Sequence, residues 1–131
     1  MNNKRNKFPK RAVVTSGMPY GNKELHIGHI CTMIWADTLS RFLKNAIGAE
    51  NVLFLSSTDA YGSSVTQKAM QMGVDETEVV RKYHDLNLKT IEKFNIGFDF
   101  YGSTCFEPLK THHKNLSDEV FMMCFQWLET C

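Results

Sequence analysis

The chain has 131 residues, with 15 Lys and Arg against 14 Asp and Glu, for a formal net charge of +1. That balance gives no global basic field of the kind that draws a stand-alone protein onto RNA. The length allows one domain with a real core but no second large one, and the apolar runs are far too short to span a bilayer.

The first eleven residues, MNNKRNKFPKR, are basic but lack the apolar core of a secretory signal. Residues 1–10 are therefore expected to be a solvated, flexible tail ahead of a domain over 11–131, with a weak phosphate-contacting arm as the functional alternative. Cys31, Cys105, Cys124 and Cys131 form no C-x-x-C pair. That spacing argues against a zinc site and a disulfide framework, so reduced thiols in the cytoplasm are the expectation.

Val13-Val14-Thr15 is a short β-branched run with strand composition. Gly17, Pro19, Gly21 and Asn22 then force a loop. A helix is predicted over Gly28 to Ala46, with Ile30, Ile34, Leu39, Phe42, Leu43 and Ala46 as its apolar stripe and Gly48 as its stop. Asn51 to Ser56 reads as a strand covered by helices on both faces. Ser63 to Met72 suggests a serine-capped helix ended by Gly73, and Asp75 with Glu78 a capping box for the next. In that next helix Val79, Val80, Tyr83, Leu86, Thr90, Ile91 and Phe94 keep a spacing of three to four. A third strand is expected near Phe98 to Ser103. Pro108 then opens a last helix carrying Val120, Cys124, Trp127 and Leu128 on one side and running to Cys131. Alternating strands and helices imply an α/β fold, the first half of a doubly wound parallel sheet with about three strands.

His26-Ile27-Gly28-His29 falls where the first helix begins. A strand, a glycine-bearing loop and a helix N-terminus form an anion-binding device. Two histidines three apart share a helical face and can donate to phosphate oxygens, and Gly28 would let an adenine ring approach the backbone. Elsewhere a His-x-x-His pair is more often surface polarity, a helix cap or a partial metal site. Asp59 follows the second strand, where a carboxylate can pair with an α-ammonium group or cap the segment after it.

The stretch TSGMPYGNKELHIGH resembles the class I aminoacyl-tRNA synthetase signature in its methionyl-tRNA synthetase form, T-x-A-L-P-Y-A-N-G-x-x-H-[IL]-G-H. FLSSTDAYGSSVTQKAMQMGV is similar to that family's second-strand block, F-x-x-G-T-D-E-H-G. The resemblance implies a Rossmann-like, HUP-type nucleotide-binding domain and the formation of an aminoacyl adenylate from ATP and methionine, followed by tRNA charging. By it, His26 and His29 match the catalytic pair. Tyr20, Asn22, His26, Gly28 and His29 match the ATP-binding set, and Gly17, Met18, Tyr20 and Asp59 the methionine-binding set. ATP, with Mg2+, would be a substrate, and no metal site is implied in this chain.

The chain departs from the pattern at Gly17, Met18, Lys23, Ala60 and Tyr61, where the family has alanine, leucine, glycine, an acidic residue and histidine. A different shape of amino-acid pocket is therefore expected. In a full family member a zinc-bearing insertion, the second half of the sheet and a KMSKS loop would follow, and no KMSKS-like stretch occurs here. The first strand would be left with an open edge, so self-association or a partner chain across it is expected, with tRNA bound only if a complementary chain is present. A non-catalytic nucleotide- or amino-acid-binding half-domain, or a scaffold, is the alternative.

Overall fold

The computed structural model describes residues 8–129. It contains β1 (Ala12–Thr15), α1 (Ile27–Ile47), a 3-10 turn (Ala49–Asn51), β2 (Val52–Thr58), α2 (Ser63–Met72), α3 (Glu76–Lys93), β3 (Phe100–Ser103) and α4 (Leu109–Glu129). The strands pair in parallel in the order β1-β2-β3, so the expected α/β alternation is the fold. The expected tail lies partly outside the described residues; Phe8, Pro9 and Lys10 are exposed and precede the first element.

Burial along β2 alternates. Val52, Phe54, Ser56 and Thr58 are buried, while Leu53 is 45% exposed and Leu55 and Ser57 are half-buried. Residues paired in parallel register share a face, so Val13 joins Leu53, and Thr15 and Phe100 join Leu55. Val13 is 67% and Phe100 48% exposed. One face of the sheet is thus packed and the other bare among the described residues, which corrects the expectation of cover on both faces. On the packed side Val14, Met33, Val52, Phe54, Ile91 and Ile96 form the main cluster. Ala60, Val65, Val80 and Cys105 form a second one beyond the strand ends.

Local chemistry explains most boundaries. Asn51 leaves the strand because it closes the 3-10 turn, its side chain donating to Ile47 O at 2.8 Å. β2 then continues to Thr58 because Ser57 and Thr58 still pair with β3. Phe98 packs on Phe54 with ring centroids 4.3 Å apart. The Asp99 carboxylate accepts from Phe54 N at 2.8 Å and is gripped by Lys44, so β3 starts only at Phe100. α2 has Gly62 rather than a serine at its N-cap and no side-chain cap bond. It ends at Gly73, whose φ of 67° is the left-handed conformation that glycine tolerates best. Asp75 caps α3 by accepting from Thr77 N at 2.7 Å, and Glu78 joins through its backbone N–H rather than its carboxylate.

The helix faces differ from expectation. In α1 the buried residues are Ile30, Met33 and Ser40, while Leu39 and Phe42 are 50% and 54% exposed beside Trp35. In α3 the buried set is Val79, Val80, His84, Asn87 and Ile91, and Phe94 is an exposed C-cap. Residues 110–127 of α4 are all exposed; the Leu128 side chain, Thr130 and Cys131 lie outside the described residues.

Candidate functional site

β1 ends at Thr15, and the chain then crosses the mouth of the sheet before α1. The loop is fastened to the end of β2 by backbone bonds. Asp59 N donates to Pro19 O and Gly21 N donates to Asp59 O, both at 2.8 Å, which makes Tyr20 and Asp59 a parallel bridge. The two motif blocks therefore meet at the carboxyl ends of adjacent strands, where open α/β sheets bind ligands. Gly21 is held against α3 and β2: a Cβ there would fall 2.9 Å from Val80 Cγ1 and 3.0 Å from Thr58 Cγ2.

His26 is the N-cap of α1. Its Nδ1 accepts from Gly28 N at 3.1 Å, and His29 Nδ1 accepts from His26 N at 3.3 Å, so the two imidazoles form a reciprocal capping box. Their centroids lie 3.8 Å apart. A neutral ring accepting at Nδ1 carries its proton on Nε2, and neither Nε2 has a protein partner among the described residues. Two N–H donors thus remain at a helix N-terminus whose dipole favours anions. Burial, and then the neighbouring His26 and Lys23, hold His29 below the ordinary histidine pKa. At neutral pH His29 acts as a hydrogen-bond donor rather than a cation.

At Gly28 the missing side chain leaves room for the neighbouring imidazole. A Cβ there would lie 3.1 Å from His26 Cε1, so the space above this glycine is taken by the His26 ring itself. Asn22 reaches α2, its Nδ2 donating to Ser64 O at 3.4 Å while its buried Oδ1 has no partner. Asp59 Oδ1 accepts from Tyr61 N at 3.2 Å. That closes a local turn but does not cap α2, and it leaves Oδ2 without a partner among the described residues.

Met18 reaches the end of β2. It is 61% exposed, and its sulfur accepts from Ser57 Oγ at 2.7 Å. With Thr15, Ser16, Leu55, Phe100 and Leu109 it lines an apolar cleft of about 380 Å³ on the bare sheet face. Tyr20, His26, His29 and Asp59 do not line that cleft. Gly17 is exposed and in open space. Sequence reasoning missed Leu55, Ser57 and Phe100 as cleft residues; the period-two alternation of β2 was the available signal. Among the described residues no three His, Cys, Asp or Glu side chains cluster to hold a metal ion, Cys31, Cys105 and Cys124 are free thiols, and no helix is long and apolar enough to cross a membrane.

A family model described as "tRNA synthetases class I (M)" matches residues 12–126. A methionine–tRNA ligase from Bacteroides fragilis is 40% identical over 110 residues, covering 83% of this chain and 16% of the relative. Its counterpart from Archaeoglobus fulgidus is 38% identical over 92 residues, 70% of this chain and 14% of that protein. A Mycobacterium tuberculosis methionyl-tRNA synthetase in complex with methionyl-adenylate superposes with a TM-score of 0.67 at 31% identity, covering 74% of this chain and 18% of that one. The chain thus spans about a sixth of the length of the curated relatives it matches.

Proposed function

The chain belongs to the methionyl branch of the class I tRNA synthetases, and from that premise we propose that it carries the amino-terminal half of a site binding ATP and methionine for aminoacyl-adenylate formation. The observation that carries the proposal is the pair of 2.8 Å bonds joining Pro19 and Gly21 to Asp59, because they hold the histidine loop and the carboxylate in one place.

In the reaction, an ionised carboxylate attacks the α-phosphate of ATP and pyrophosphate leaves. Negative charge grows on phosphoryl oxygens, so fixed donors stabilise the transition state and no general base is needed. His26 and His29 are the catalytic donors, each through Nε2–H. Tyr20, Asn22 and Gly28 complete the ATP side. Asp59, through its unpartnered oxygen, takes the substrate ammonium, and Gly17, Met18 and Tyr20 border the thioether, for which an apolar, polarisable wall is suited. Mg2+ arrives with ATP as substrate. Residues 11–131 act as part of a catalytic domain and residues 1–10 as a tail. The open edge of β1 is covered by a second copy or a complementary chain, and tRNA binds only to that completed assembly in the cytoplasm.

The test is methionine-dependent ATP–pyrophosphate exchange, with His26→Ala/His29→Ala as control. Exchange above the control supports the catalytic reading. A folded sample that binds ATP without exchange supports the alternative, a non-catalytic half-domain.

A further inference from the structure

One face of α3 meets the site at three levels. Val80, His84, Asn87 and Ile91 follow at intervals of four, three and four, and all are buried. Val80 closes on the backbone of Gly21. One turn on, His84 Nδ1 lies 2.9 Å from Thr58 Oγ1, whose other neighbour is Tyr101 OH at 3.2 Å. The imidazole is stacked on Tyr101 and meets Phe106 edge-on, at 5.4 and 5.3 Å between centroids. Asn87, fully buried, accepts from Leu25 N through Oδ1 at 3.0 Å.

Thr58 immediately precedes Asp59, and Leu25 immediately precedes His26. Two buried polar groups three apart on one helix therefore each hold the residue before one half of the proposed site. We propose that α3 is the positioning element of the site, with Asn87 setting the histidine loop and His84 setting Asp59; this rests on the assignment of His26 and Asp59 above. The Asn87 amide orientation is fixed, because only its oxygen can accept from Leu25 N–H. Its Nδ2 is then left buried without a partner. A leucine of similar volume would remove that unsatisfied donor but leave the Leu25 N–H without its acceptor, so what asparagine supplies here is the bond to the loop. Burial also holds His84 below the ordinary histidine pKa, which leaves the ring neutral and able to accept the Thr58 hydroxyl proton.

The test compares Asn87→Leu and His84→Phe, which keep shape but lose the acceptor, with Asn87→Asp and His84→Asn, which keep one. Mg-ATP and methionine binding to the full chain are read by calorimetry. Asn87→Leu is expected to raise the ATP Kd about tenfold with the methionine Kd nearly unchanged, and His84→Phe the reverse, each largely rescued by its conservative partner. Parallel loss of both ligands in both variants, or failure of both rescues, would overturn the proposal. A second arm needs no variant: in the free wild-type chain, the Leu25 and Asp59 amides should exchange with solvent as slowly as the amides inside α3. Loop-like exchange at Leu25 and Asp59 would overturn it too. If wild type binds neither ligand, the assignment of the site fails, while the exchange arm still decides whether α3 positions the loop.

Discussion

Replacing His26 by Asn should separate two tasks that the histidine combines. Asparagine caps helices well, so the Gly28 N–H keeps an acceptor and thermal stability should change little, whereas His26→Ala should lose about 1 kcal/mol. Both variants lose the Nε2–H donor and should weaken ATP binding alike; calorimetry beside thermal unfolding would check this. Gly21→Ala should destabilise by about 1–3 kcal/mol in urea titrations, since the new methyl would press on Val80 and Thr58. The pH dependence also has a definite sign. An unfolded histidine titrates near 6.5, and burial holds His84, and also His29, below that. Between the two values the unfolded chain binds more protons, so this stability is full above the unfolded value and is lost as pH falls through the folded one. The urea midpoint should therefore drop as the pH falls below about 6.5, and drop less in His84→Asn. His84 and Asn87 were not legible in the sequence, because a search for apolar periodicity passes over polar groups that helix packing will bury. The meeting of the loop after β1 with Asp59 at the end of β2 was legible, since a strand–loop–helix pattern fixes where two such loops converge.

At the scale of elements, the sequence showed every strand and helix in order, and the errors lie in which face is buried. For α1, hydrophobicity alone drew Leu39 and Phe42 into the stripe. The true face is polar along its edge: Asp37, Arg41 and Lys44 tie the segment from Asn95 to Asp99 to the helix by hydrogen bonds. For β2, the apolar run looked covered on both sides, yet only its even-numbered residues are buried. Phe54, with no exposed surface, lies at the centre of the packed side. Phe54→Ala should cost about 3–5 kcal/mol, while Leu53→Ala on the bare side should cost far less, as equilibrium unfolding would show.

At the scale of the molecule, β1 has a free edge among the described residues and the sheet a bare apolar face bearing Val13, Leu53 and Phe100. Exposed surfaces of this kind promote association. Light scattering should report oligomers that weaken in a Val13→Lys/Leu53→Lys variant; a clean monomer at high concentration would contradict this. The proposed site depends on the same architecture, because its two halves come from separate loops joined at Tyr20 and Asp59 and packed against α3. A ligand that spans both halves examines that arrangement most directly. The measurement is calorimetric binding of a non-hydrolysable methionyl-adenylate analogue to the chain and to its His26→Ala and Asp59→Ala variants. The wild type should bind the analogue, with a loss of about tenfold or more in each variant. Equal affinity in all three would contradict the proposed site.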